Sequence, residues 1–326
     1  MSSFRRRLMM SQPTPIPSLE DYPGLIAAWS AAGKSNDDAD RNVLRDLTGN
    51  GHDITLSNFA FSGMSGYGGF YGNGNGKYSF TSIRGGLVVF SKTPVLSKTF
   101  KYKVTGLREA LESANFLALQ VTTYDEEGVA RSGSQTQYDG EWTIDLSNAA
   151  YVRMEFYGQG SNTSCNVNIE LSPIYPDGLV YDGTDDYNSA VDFGDIEIGT
   201  VIMKCQKTDT EGFYCYFGNV GDFVSRAFRL YNSSSDEEVD IKIASFDKNI
   251  YIYNSNTQKA IYSSGWRSAP FSINGRPTNG FSESGRFVFY SAYLFDRSLN
   301  EQEIKAFIRK YIDADYLLPS EQKNKG

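Results

Sequence analysis

Acidic side chains two residues apart on a strand share one face. A pair so placed can cleave a glycosidic bond, one carboxyl protonating the leaving group while the other attacks or activates water. Glu238 and Asp240 have that spacing in Glu238-Val-Asp-Ile-Lys-Ile243. Asp192-Phe-Gly-Asp-Ile-Glu197 crowds three acids at other spacings, and Glu141-Trp-Thr-Ile-Asp145 offers two. Each run also reads as the solvated face of a strand, and the expectation is a chain that is not an enzyme. His52 is the one histidine, so no Cys/His zinc cluster is available, and its place beside a tight turn reads as a surface loop. The glycine-rich stretch 62–77 lacks the Gly-Lys-Ser/Thr of a phosphate-binding loop.

Sugar binding asks for something else: aromatic rings that stack on C–H faces, with amides and acids for the hydroxyls. The candidates are Tyr67, Phe70 and Tyr71 in the glycine-rich stretch and Trp142 further on. Trp266 with Arg267, in Ser263-Ser-Gly-Trp-Arg267, is the foremost. Trp29 lies in an apolar strand and reads as core.

The elements that must position these residues are strands. The 326 residues include 22 Tyr, 21 Phe and 31 Gly. Short β-branched and aromatic runs alternate with Gly/Asn/Asp/Ser clusters, the pattern of an all-β protein. A net charge of −8 supplies no basic field for nucleic acid. No run approaches the ~20 apolar residues of a membrane span. The N-terminus, Met1-Ser-Ser-Phe-Arg-Arg-Arg-Leu-Met-Met10, starts like a secretory signal but lacks the apolar run of roughly 7–15 residues. The expectation is therefore a chain with no export signal, no membrane partner and no nucleic-acid partner. Three cysteines leave at least one unpaired. Cys205 and Cys215 flank an apparent hairpin turn, either bridged across two strands or present as small apolar side chains.

Along the chain, residues 1–23 form a proline-punctuated leader, either a loose tail or an extended arm that docks on a partner. Residues 24–58 carry an apolar strand with Trp29, then the turn Asp46-Leu-Thr-Gly-Asn-Gly51. The glycines of 62–77 suit a flexible crossing between modules. Strands are expected at 78–80, 86–90, 100–104, 116–123, 141–144, 151–157 and 165–171, with a short helix at 107–114. Prolines 173 and 176 then mark a boundary. Strands resume from 179 and end in a long buried one at 287–295. A helix follows, with Ser298 or Asn300 as cap and Ile304, Phe307, Ile308, Tyr311 and Ile312 on its apolar face.

Three motifs carry a resemblance. Asp46-Leu-Thr-Gly-Asn-Gly51, Tyr181-Asp-Gly-Thr-Asp-Asp-Tyr187 and Tyr293-Leu-Phe-Asp-Arg-Ser-Leu-Asn-Glu-Gln-Glu-Ile304 resemble, in order, the turns and closing strand–helix of laminin-G-like domains. These belong to the concanavalin-A-like jelly-roll superfamily. The resemblance covers about 24–58 and 178–315 and implies a laminin-G-like β-sandwich. The block at 60–176 departs from the family, and its short strands make the expected fold all-β, that β-sandwich interrupted by a second, smaller β-sandwich domain. The expected domains are an N-terminal arm at 1–23, the discontinuous jelly roll at 24–58 plus 178–315, the insert at 60–176 and a polar tail at 316–326. Glycosidases of that superfamily need Glu-x-Asp-x-x-Glu, and Ile243 stands where the last acid belongs. Many members bind calcium at a rim, which makes Asp182, Asp185, Asp186 and Asp46 candidate Ca2+ ligands. The same aspartates also serve as turn-formers.

Ser3-Phe-Arg-Arg-Arg-Leu-Met-Met10 resembles the start of many proteins from gut Bacteroides-type bacteria and their phages. Together the resemblances imply a non-enzymatic virion protein, a head or tail fibre or decoration, displaying lectin-like sandwiches to a cell-surface glycan. Other virion proteins would hold its N-terminal arm, and a homo-oligomer is one form it would take. The alternative is a carbohydrate-binding adhesion protein on the bacterial cell surface.

Overall fold

A computed structural model describes residues 19, 22–83, 88–113, 116–136, 138–158, 163–208, 215–218, 227–230, 239–246, 250–252, 271–273 and 286–317. It is mostly strand, arranged as antiparallel sheets.

The two distant parts of the chain meet in one sheet. From the first come β1 (Leu25–Ser30), β2 (Val43–Leu44), β3 (Ile54–Ser57) and β4 (Gly66–Tyr67). In the middle lie β5 (Lys77–Ile83), β6 (Val88–Pro94), β7 (Thr99–Thr105), α1 (Leu107–Ser113), β8 (Phe116–Tyr124), β9 (Ala130–Thr136), β10 (Gly140–Asp145), β11 (Tyr151–Gly158) and β12 (Thr163–Leu171). The last part supplies β13 (Leu179–Asp182), β14 (Tyr187–Asn188), β15 (Thr200–Lys207), β16 (Cys215–Gly218) and β17 (Ala227–Leu230). It ends with β18 (Val239–Phe246), β19 (Ile250–Ile252), β20 (Arg286–Phe295) and α2 (Glu301–Tyr311).

Strand β20 is the spine. One edge takes β15, from Thr200 opposite Phe295 to Lys207 opposite Phe287. The other edge is shared by β13, with Leu179 opposite Phe289, and β1, with Leu25 opposite Phe295. Between Ser291, opposite Lys204, and Phe289, opposite Cys205, the backbone of Tyr290 has no register partner on β15. That bulge swaps the faces: Phe287 and Phe289 share a core with Ala292 and Leu294, while Tyr293 and Phe295 turn to the other side. The first core also holds Trp29, Leu44, Ile54 and Leu56, so β2 and β3 form the facing layer. On the opposite side α2 seats Ile304, Phe307 and Ile308. Asn300 caps that helix, accepting from the amides of Gln302 and Glu303, and Glu303 returns a bond to the Asn300 amide. Leu19 and Tyr22, at the end of the leader, pack on the same side; Tyr22 stands edge-on to Phe307 at 4.8 Å.

Strands β5 to β12 pair among themselves, as the sheets β10-β7-β12-β5 and β6-β11-β8-β9. Phe100, Tyr102, Val104, Leu119, Val121, Val152, Met154, Phe156, Val167 and Ile169 fill the space between them. Gly66 and Tyr67 fall outside this unit although the sequence sets them in the crossing, because β4 pairs with β13 and Tyr67 joins the first core.

The glycine-rich stretch is not a loose hinge. Gly76 sits at φ +81 where a Cβ would lie 2.4 Å from the Phe70 ring, and Gly68 at φ +81 where one would lie 2.7 Å from Pro173. Their backbones are tied down as well: the Leu171 amide donates to the Gly76 carbonyl (2.7 Å), and the Tyr175 amide to that of Gly68 (2.7 Å). Glycine is required here for left-handed backbone and close approach.

The expected Cys205–Cys215 hairpin is also corrected. Strand β15 pairs with β18 and β20, β16 pairs with β17, and Cys205 is a buried free thiol. Among the described residues, no helix is long and apolar enough to cross a membrane.

Candidate functional site

The tight turn between β13 and β14 gathers acids. Asp182, Asp185 and Asp186 present carboxylate oxygens within 4.8 Å of one another. Asp186 is fully buried; it accepts from the Asp182 amide (2.9 Å) and from Ser65 Oγ (2.9 Å). Asp182 closes the turn by accepting from the Thr184 amide at 2.7 Å. Burial, reinforced by the charges of Asp182 and Asp185, pushes the Asp186 carboxyl up to about 7 against the pull of its hydrogen bonds. Three close carboxylates are the hard oxygen donors that calcium takes, so this triad fits such an ion.

Asp46 does not fit. Its Oδ1 accepts from the Ala28 amide (3.1 Å), the Thr48 amide (3.0 Å) and Thr48 Oγ1 (2.8 Å), and its Oδ2 from the His52 amide (3.1 Å). These donors bind its turn to β1, and the side chain lies apart from the acidic triad. His52 is likewise more than a surface residue. Its Nδ1 lies 3.1 Å from the Ile26 carbonyl, its ring stands edge-on to Phe193 at 4.6 Å, and its own carbonyl accepts from Trp29 Nε1.

Three aromatic candidates for sugar stacking face inward. Tyr67 is 3% exposed and donates its hydroxyl to the Arg41 carbonyl. Tyr71 is 2% exposed and packs edge-on to Phe100 at 5.3 Å. Neighbouring glycines suggested open loops, but those glycines let the backbone fold tightly around both rings. Trp142 alternates with the outward Glu141 and Thr143, so its ring lies on the core side of edge strand β10, half-buried. Trp266, Arg267 and Glu238 lie outside the described residues.

What the structure adds is a cleft of about 290 Å³ where the two halves meet. Lys34, Asn36 and Asp37 come from the loop after β1, Lys77 and Glu170 from the middle unit, and Asp177 from the return crossing. Lys77 Nζ lies 2.6 Å from Asp37 Oδ2, and Asn75 Nδ2 donates to Asp37 Oδ1 at 2.8 Å. The Lys77 and Asn75 hydrogen bonds hold the Asp37 carboxyl below its ordinary range. Asn36 clasps the Tyr67 backbone, accepting from its amide (2.7 Å) and donating to its carbonyl (3.1 Å). The Lys77–Asp37 pair and the Asn36 clasp join the halves across the cleft. Asp37 and Lys77 are 40 residues apart, and no local pattern links them.

No family model matches the chain, and comparison with the curated proteins and with the solved structures returned no match.

Proposed function

We propose that the chain is a non-enzymatic adhesion and structural protein of a phage particle, a head or tail fibre or decoration. In this reading a laminin-G-like jelly roll carries an inserted β-sandwich outward to a host-surface glycan. The observation that carries it is the meeting of β1, β13 and β20 in one sheet. The segments that resemble laminin-G-like domains fold together, while everything between β4 and β13 is built as a second body. A fixed crossing between the bodies suits display at a set angle. The resemblance of the first ten residues to proteins of gut Bacteroides-type bacteria and their phages supplies the setting. Calcium, where bound, would be held by Asp182, Asp185 and Asp186 and would brace the turn beside Ser65.

The test is adsorption of labelled full-length protein to intact cells of gut Bacteroidota and to a glycan array. Saturable binding with the glycan left intact is the expected result. Release of sugar from a β-glucan, lost in Glu238→Gln, would overturn the reading in favour of a glycosidase.

A further inference from the structure

We propose that the outer face of the β6-β11-β8-β9 sheet binds a neutral oligosaccharide. This inference rests on the adhesive reading above and gives it a location and a ligand class. Alternation defines the face. Val152, Met154 and Phe156 enter the core of the inserted unit, so Tyr151, Arg153, Glu155 and Tyr157 project from the other side of β11. On β8, Leu119 and Val121 go inward, leaving Gln120, Thr122 and Tyr124 beside them.

Register sets these side chains in rows: Tyr151 opposite Tyr124, Arg153 opposite Thr122, Glu155 opposite Gln120. On the far side of β8, Gly133 stands opposite Thr122 and Gln135 opposite Gln120. Gly133 leaves room for the Gln120 amide, whose Nε2 lies 3.1 Å from where a Cβ at Gly133 would stand. Tyrosines stand at both ends of the β11 row, and Tyr157 is 44% exposed. From Tyr151 to Tyr157 the strand runs about 20 Å, room for several sugars rather than one. The centre of the row is closely packed, with Thr122 buried and the Glu155 side chain 14% exposed.

The occupant follows from charge and unmet hydrogen bonds. Arg153 is paired with Glu155, and Arg131 with Asp125 at 2.6 Å. Among the described side chains of this face, these charges are paired with one another and leave little to attract an ionic ligand. Gln120 Nε2 donates to Thr122 Oγ1 at 3.1 Å, and Arg153 Nη1 to the Tyr124 hydroxyl at 3.4 Å. Gln120 Oε1 and Arg153 Nε are buried with no partner. An unpaired acceptor beside an unpaired donor is costly. Small movements of these side chains toward a ligand would let both gain bonds. Hydroxyl groups, each donor and acceptor, match that need, and sugar C–H faces match the tyrosine rings.

The experiment is calorimetric titration of the full-length protein with short neutral gluco-, manno-, xylo- and chito-oligosaccharides. At least one is expected to bind, with an affinity insensitive to salt. Tyr151→Ala should weaken it roughly tenfold, Tyr151→Phe should retain it, and Gln120→Ala should weaken it several-fold. Tyr157→Ala, at an exposed position, gives a second variant whose folding is not at stake. If binding persists through these substitutions and is lost in Trp266→Ala, this face is overturned and the adhesive reading stands. If cells bind the protein but no saccharide binds or displaces it, the ligand class is overturned. If neither cells nor saccharides bind, the adhesive reading fails as well.

Discussion

Asp186 holds its proton at a pH where exposed aspartates have lost theirs. Its folded pKa is raised from 3.8 to about 7 by burial, so between those values the folded state binds more protons than the unfolded one. Stability from this residue is fully present at low pH and is lost as pH rises through about 7. Thermal unfolding followed from pH 5 to pH 8 should show a falling midpoint that is flatter in Asp186→Asn. Millimolar calcium should restore the wild-type midpoint at pH 8 more than that of the variant. An unchanged slope in the variant would show that other groups set the pH dependence. The sequence made the acidic turn legible, because Asp-Gly-x-Asp-Asp is turn chemistry. It did not separate Asp46 from the group, since a cation and a set of backbone amides ask for the same oxygens. Tyr-Val-Arg-Met-Glu-Phe-Tyr alternates cleanly, but that pattern marks any half-buried strand and does not single out Tyr151, Arg153 and Glu155.

Among the elements, alternation and capping were the readable signals. Strands β7 and β10 follow a strict period of two, and α2 begins where Asn300 and Glu303 form their box. Helix α1 fell at Leu107–Ser113, nearly where its apolar spacing put it. Strand β9 is not legible in the sequence, because Ala-Arg-Ser-Gly-Ser-Gln-Thr has almost no apolar residue. As an edge strand with one neighbour, it needs backbone pairing more than burial. The glycine stretch is ambiguous for a different reason, since composition does not distinguish glycine for freedom from glycine for fit. The two uses predict opposite signs. In a flexible crossing Gly76→Ala would be neutral or stabilising by about 0.4–1 kcal/mol, through the unfolded chain. At φ +81 against the Phe70 ring, it should instead destabilise by about 1–3 kcal/mol. Urea unfolding of the variant decides between them.

For the molecule as a whole, Leu25 and Phe295 lie at opposite ends of the chain yet pair across two strands. Motif order made that closure legible, but the clasp between the bodies was not. Asn36 on Tyr67 and Asp37 on Lys77 join residues that share no local pattern, and only the fold brings them together. The clasp and the packed glycines hold the inserted sandwich against the first, so a ligand on the outer face of β11 would be presented in a fixed direction. A particle protein has use for such an arrangement. Quantitative mass spectrometry of purified particles from lysed cultures tests this most directly. The account predicts this chain in fixed stoichiometry with the capsid or tail proteins. Its absence from the particles, with recovery in the bacterial envelope fraction, would contradict the account and assign the chain to the cell surface.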